Sequence, residues 1–574
     1  MGGVSIRPHR AIVAVVALTA LLASGCSGAE ERPSPPSPSA PPSPSTAPSA
    51  SDPAARAAAL VGTLTDEDLA GQVLMPYAYG SSASEVSSGS AAGNQALAGV
   101  DTPAEMIAKY HLGGLILVGF SADDPTQGNQ ETTNVDSAEQ VRELTTGLRD
   151  AAAKLPTGAA PFLIGTDQEY GVVTRITDGV TALPSALAAG AAGDPALTEA
   201  AWRAAGAELA ALGINLDFAP VADVLATRST VIGSRSFGSD QKRVSPQVGA
   251  AVRGLQGAGV AATLKHFPGH GHSADDSHKE LPALTQSRAT LEADAWPSFK
   301  AGIDAGTMAV MSAHLDVRSV DPGTPATFSH KLLTDVLRGQ LGFQGVVITD
   351  GMNMEPAKRW SPGEAAVRAL NAGNDLILMT PNVSQAYDGL LAALRDGSLP
   401  RARLVDAVTR VLTMKFRLAG TTAPDMSTLN DPEHRKAADA LAAAAVTVLR
   451  GSCDTAPIPG PVTVTSSDGR DKTRALLADA LKAAGVRVVP SGGTVVHLVG
   501  YGDGTGDLRA DAAVTVAMDT PYVLAKAKSP TLLATYSSSR AAMNGLAAVL
   551  AGKARPGGRS PVKVTGLPAT TCDS

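Results

Sequence analysis

Between residues 54 and 420 short apolar runs alternate with stretches of helical character, the pattern of a parallel α/β sheet. The runs Val73–Tyr77, Gly114–Gly119, Pro161–Thr166, Asn215–Ala219, Val260–Lys265, Thr307–Ala313, Gly345–Thr349 and Asp375–Met379 read as strands. Eight strands with intervening helices predict a closed (β/α)8, TIM-like barrel. Asp167, Lys265, His266, His314 and Asp350 each stand at or just after the carboxyl end of a run, where such barrels keep their chemistry.

After residue 420 the pattern restarts on a smaller scale. The runs Pro461–Thr465, Val486–Val489, Thr494–Val499, Ala513–Met518 and Thr531–Tyr536 alternate with helical stretches at Asp471–Ala484 and Ala541–Leu550, so residues 421–574 are expected to form a smaller α/β, sandwich-like domain. The Gly500-x-Gly502-x-Gly504 segment reads as a surface loop, because no helix signal follows it to build a phosphate cradle. At the amino terminus Arg7 and Arg10 precede the apolar run Ala11–Ala23, too short to span a membrane at about 20 residues. Residues 1–25 therefore read as a signal peptide. The Pro/Ser-rich tract 26–53 cannot bury a core and reads as a semi-stiff linker ahead of the barrel at 54–420.

The densest chemistry lies in Lys265-His266-Phe267-Pro268-Gly269-His270-Gly271-His272, continuing to Asp276-Ser277-His278. Pro268, Gly269 and Gly271 exclude a continuous helix, so these side chains sit on a folded loop. In an extended piece Asp276 and His278 point to the same side, close enough to hydrogen-bond. A carboxylate that fixes one imidazole nitrogen sets the tautomer and raises the basicity of the other, which makes a directed proton carrier. The alternative is a zinc site of His266, His270, His272 and His278, which has no cysteine and no helical His-x-x-x-His frame.

The spacing of this loop resembles that of the bacterial β-N-acetylglucosaminidases of glycoside hydrolase family 3, the NagZ type. The resemblance covers most of residues 60–420 and includes Gly165-Thr166-Asp167-Gln168-Glu169-Tyr170-Gly171 with Arg175, Leu216 to Asp223, Ile232 to Gly238, and Leu341 to Asp350. It implies Asp350 as nucleophile, His278 as acid/base oriented by Asp276, and Asp167, Arg175, Arg235, Lys265 and His266 as ligands of a terminal N-acetylglucosamine. Asp223 and His314 are supporting candidates. Tyr170 and Val172 replace a glycine and an arginine common in the family, and Gly351 replaces the acidic or aromatic residue common after the nucleophile.

The implied enzyme is a retaining exo-β-N-acetylglucosaminidase that needs no cofactor and no metal. The same fold with phosphate as acceptor, and a sugar-binding lipoprotein without turnover, are the alternatives. Aromatic residues are only 3% of the chain, which favours a small pocket over a long cleft lined with stacking rings. A formal charge of −7 without a basic stripe argues against a nucleic-acid partner.

Leu22-Ala23-Ser24-Gly25-Cys26 resembles a lipobox, with Ala23 where leucine is usual, so Cys26 is the expected lipidation site and the membrane is met through that anchor only. The protein is then exported and held on the outer face of the membrane, or secreted if the box is not used. In an exported chain Cys453 and Cys572 are a possible disulfide. A monomer is the working expectation for assembly. Because Asp350 and His278 both precede residue 351, the second domain is expected to be dispensable for bond cleavage.

Overall fold

The computed structural model describes residues 52–119, 132–453 and 458–572. The expected signal peptide, Cys26 and nearly all of the 26–53 linker lie outside the described residues. Among the described residues no helix is long and apolar enough to cross a membrane.

All eight expected barrel strands are present: β1 (Leu74–Met75), β2 (Gly114–Leu117), β3 (Leu163–Thr166), β4 (Leu216–Asp217), β5 (Ala261–Phe267), β6 (Ala309–Ser312), β7 (Val346–Thr349) and β8 (Ile377–Leu378). Strands β2 to β7 pair in parallel in chain order, and β8 returns to pair with β1, Leu74 opposite Ile377. Ile348 bridges to Leu376 between β7 and β8. The Ile116 N–H donates to the Pro76 carbonyl at 3.0 Å between β1 and β2, so the ring closes. Every residue of these strands is buried, as helices on the outside and side chains on the inside require.

The surrounding helices start where short polar side chains satisfy the first free N–H groups. Thr102 and Glu105 form a capping box for Pro103–Tyr110, and Asp194 and Asp240 cap Pro195–Ala211 and Gln241–Gly257. The last barrel helix, Arg401–Leu418, is followed by the helix Pro432–Ala445, which packs both on Pro195–Ala211 and on Arg540–Leu550 of the second domain.

That domain holds a five-stranded sheet: β9 (Thr447–Arg450), β10 (Val462–Ser466), β11 (Thr494–Val499), β12 (Val514–Ala517) and β13 (Thr531–Ala534), in the order β9-β13-β12-β11-β10. All pairs are parallel except β9 with β13. One expectation changes here and one is met. The run Val486–Val489 makes only a single bridge, Val488 to Val462, and its place as a strand is taken by β9, which follows directly on an alanine-rich helix. Cys453 and Cys572 are joined in a disulfide that ties the end of β9 to the chain's last described residue.

The two domains share an apolar seam. Leu187, Leu225 and Ile232 of the barrel side cluster with Leu449, Val499 and Tyr536, and the Ser185 hydroxyl donates to the Tyr536 carbonyl at 2.7 Å. Burying side chains of this size is worth about 1.5–3 kcal/mol each, so the three on the barrel side alone represent a large part of a domain's net stability of about 5–15 kcal/mol. A chain ending at Ala419 is accordingly expected to aggregate or to melt well below the full-length protein. A soluble truncated barrel with an unchanged Tm would contradict this.

Candidate active site

The loops at the carboxyl ends of the barrel strands enclose a cavity of about 320 Å³, at the small end for ligand sites. Asp167, Arg175, Arg235, Lys265, His266, His278 and Asp350 all line it. Asp276 does not line it and instead holds His278. No residue of the second domain is among the lining side chains.

Strand β7 delivers Asp350 into the cavity. Its N–H donates to the Ser312 carbonyl on β6 at 3.0 Å, and the Gly351 N–H donates to Asp350 Oδ1 at 2.8 Å. Burial favours the neutral acid, but His266, His314, His278 and the Gly351 N–H outweigh it and hold the Asp350 carboxyl below the usual aspartate range. The group is an anion facing a pocket, which is what a nucleophile requires. His314 stands behind it, its Nε2 donating to the Gly351 carbonyl at 3.0 Å and its Nδ1 accepting from Thr327 Oγ1 at 2.9 Å. A Cβ on the glycine after Asp350 would lie 2.8 Å from Asn353 Oδ1, so a larger residue there requires the Asn353 side chain to turn aside.

The loop after β5 folds back over the site. Its foot is pinned by buried Asp223, which accepts the His270 N–H at 2.6 Å and the His266 Nδ1–H at 2.7 Å. Gly271 packs so closely on the Val224 carbonyl that a Cβ would lie 2.2 Å from it. Near the tip, His278 Nδ1 is 2.8 Å from Asp276 Oδ1. A carboxylate only accepts, so Nδ1 carries the hydrogen and Nε2 is left to take or give a proton. Burial would raise the Asp276 pKa, yet the hydrogen bonds from the His278 side chain and backbone bring it down to about 2.

The histidines do not gather as ligands. His266 is committed to Asp223, His270 to Ser277 at 2.9 Å and His278 to Asp276. Among the described residues no group of three or more His, Cys, Asp or Glu is placed to hold a metal.

Opposite charges fill the floor. Lys265 Nζ lies 2.7 Å from Asp167 Oδ1 and 2.5 Å from Glu169 Oε1. Arg235 meets the same glutamate through two parallel hydrogen bonds, Nε to Oε2 at 2.6 Å and Nη2 to Oε1 at 2.8 Å. Burial disfavours the lysine ammonium, but Asp167 and Glu169 hold its pKa above the ordinary value. Arg175 is buried beside them, its Nη1 donating to the Gly119 carbonyl at 3.2 Å. Glu169 is the participant that reading the sequence missed. Its period-two spacing from Asp167 would have put both carboxylates on one side.

Tyr170 keeps the backbone of the glycine it replaces. Its φ is +64°, in the left-handed region, and its buried ring packs edge-on against Trp202 at 5.8 Å. Such a conformation costs a non-glycine residue about 1–3 kcal/mol, which the burial of the ring offsets.

Residues 72–414 match the model of the glycosyl hydrolase family 3 N-terminal domain. The chain belongs to glycosyl hydrolase family 3. It is a glycoside hydrolase, and the cavity above coincides with the part that the family model covers. A β-hexosaminidase of Xanthomonas axonopodis pv. citri (strain 306) is 39% identical over 300 residues, covering 50% of this chain and 86% of the relative. A β-N-acetylglucosaminidase/β-glucosidase of Cellulomonas fimi is 33% identical over 336 residues, 54% of this chain and 58% of that one. The solved family 3 β-N-acetylglucosaminidase of Paenibacillus sp. str. FPU-7 superposes with a TM-score of 0.75 at 31% identity, covering 88% of this chain and 99% of its own, so the second domain is shared as well.

Proposed function

We propose that the protein is an exported, lipid-anchored, retaining exo-β-N-acetylglucosaminidase acting on peptidoglycan-derived or related glycosides. The observation that carries this reading is the placement of an ionised Asp350 and the His278–Asp276 pair around one small cavity whose floor is a row of paired charges. Relatives named β-hexosaminidase and the β-N-acetylglucosaminidase neighbour support the choice of sugar.

In the first step Asp350 attacks the anomeric carbon while His278 Nε2–H protonates the departing oxygen. In the second, neutral His278 takes a proton from water, which displaces Asp350 from the sugar. Asp276 keeps the Nδ1 hydrogen in place and stabilises the imidazolium each time it forms. An imidazole starts near a pKa of about 6.5, so it serves both steps near neutral pH with less perturbation than a carboxylic acid would need. Asp167 accepts sugar hydroxyls while Lys265, Arg235 and Arg175 donate, and His266, with Nδ1–H given to Asp223, offers Nε2 as an acceptor. Cys26 would carry the lipid, with the 26–53 tract as spacer.

The purified protein should release 4-nitrophenol from 4-nitrophenyl N-acetyl-β-glucosaminide at the same rate with and without inorganic phosphate or a chelator. The first-formed sugar should be the β-anomer of free N-acetylglucosamine. A sugar 1-phosphate would favour the phosphorylase alternative, chelator-sensitive activity the zinc reading, and a folded protein without turnover the binding-protein reading. Fractionation of the producing cells reports on the anchor.

A further inference from the structure

The geometry points to Glu169 as the positioning residue that sets the donors of the sugar pocket, a role that rests on the proposed reading of the cavity. Its carboxylate is only 3% exposed, yet it borders the cavity. It lies within a chain of polar contacts whose first four members, Asp167, Lys265, Glu169 and Arg235, alternate in charge across three separate elements. Asp167 follows β3, and its Oδ1 meets Lys265 Nζ on β5. Lys265 then meets Glu169 on the hairpin after β3, and Glu169 grips Arg235 in the turn Gly233–Arg235. Arg235 Nη2 approaches His266 Nε2 at 3.4 Å, and His266 ends the chain on Asp223.

Two buried cations side by side repel strongly where the dielectric is low. Among the described residues Glu169 is an anion that touches both, and it accepts three N–H groups, so it has little capacity left for a substrate hydroxyl. Its work is done through Lys265 and Arg235. By bridging their heads it fixes how their N–H bonds are turned toward a sugar, and it offsets their mutual repulsion. A salt bridge that merely holds the fold together would affect melting but leave the affinity of the folded protein for sugar intact.

In Glu169→Gln an amide N–H replaces an acceptor and faces a cation, so Lys265 and Arg235 must part. The expected result for the folded variant is a KM raised by about tenfold or more with kcat changed much less, as loss of binding common to ground and transition states requires. Binding of N-acetylglucosamine, followed by NMR or calorimetry, should weaken in parallel, and Glu169→Asp should recover part of it. Wild-type protein that fails to bind N-acetylglucosamine would refute the cavity's assignment as a sugar site. Wild type that binds, with Glu169→Gln binding equally well, would refute only the role of Glu169.

If Glu169→Gln does not fold, Glu169→Gln/Arg235→Gln removes the buried charges together and is compared with Arg235→Gln alone. Because Glu169 then acts only through Lys265, the further rise in KM of the double variant should be no larger than the rise that Lys265→Met adds to Arg235→Gln. A larger rise would show Glu169 binding the sugar in its own right and would overturn the inference.

Discussion

Asp350→Asn or Asp350→Ala is expected to lower kcat by several powers of ten, on the order of 10⁴-fold or more, while the folded protein still binds N-acetylglucosamine. The size follows from what is removed. Asp350 is the ionised group that the proposed mechanism uses to form the covalent bond, and among the described residues no second carboxylate in the cavity is free to replace it. Asp167 and Glu169 are tied to Lys265 and Arg235, and Glu355 is paired with Lys358 at 2.6 Å. Binding survives because the donors and acceptors for the ring come from β3, the β4 loop and β5 rather than from β7. The check is a pair of measurements on one sample, turnover of the chromogenic substrate and affinity for the free sugar. Near-normal turnover in either folded variant would remove Asp350 from the mechanism.

The second large effect concerns the proton carrier. Asp276→Ala and His278→Ala should each slow turnover strongly, and the double variant should be little worse than the slower single one. Without Asp276 the imidazole loses the 2.8 Å partner that fixes its tautomer, and without His278 the carboxylate has nothing to orient. Substrates with a good leaving group need little help from an acid, so His278→Ala should lose least on these during the first step. Strictly additive losses from the two single changes would show that the residues do not act as a unit.

The barrel was legible because most of its strands fall in short apolar runs, and because the charged residue that closes a run, such as Asp350 after Val346–Thr349, marks the carboxyl end directly. The pairing of Asp276 with His278 was legible because it is local, two residues apart. What escaped was non-local or masked. The partner of Glu169 depends on where the turn Gly233–Arg235 lands, 66 residues further along the chain. Strand β9 continues from Ala442–Ala445 without a glycine, proline or charge to mark the change, and its strand character comes from a neighbour, β13, far along the chain. The expectation that the second domain is dispensable concerns bond cleavage, whereas the seam formed by Leu187, Leu225 and Ile232 bears on stability and, being non-local, leaves no mark in the sequence.

Asp223 gives the site a mechanical property that its individual contacts do not convey. One oxygen steadies the ring of His266, which lines the cavity, and the other takes the N–H of His270, the root of the loop that carries His278. His266 and the root of the arm that carries His278 are therefore bolted to a single fixed point in the barrel core. In the proposed mechanism the holder of the sugar and the bearer of the proton thus share one mount, so that a change at Asp223 displaces both at once.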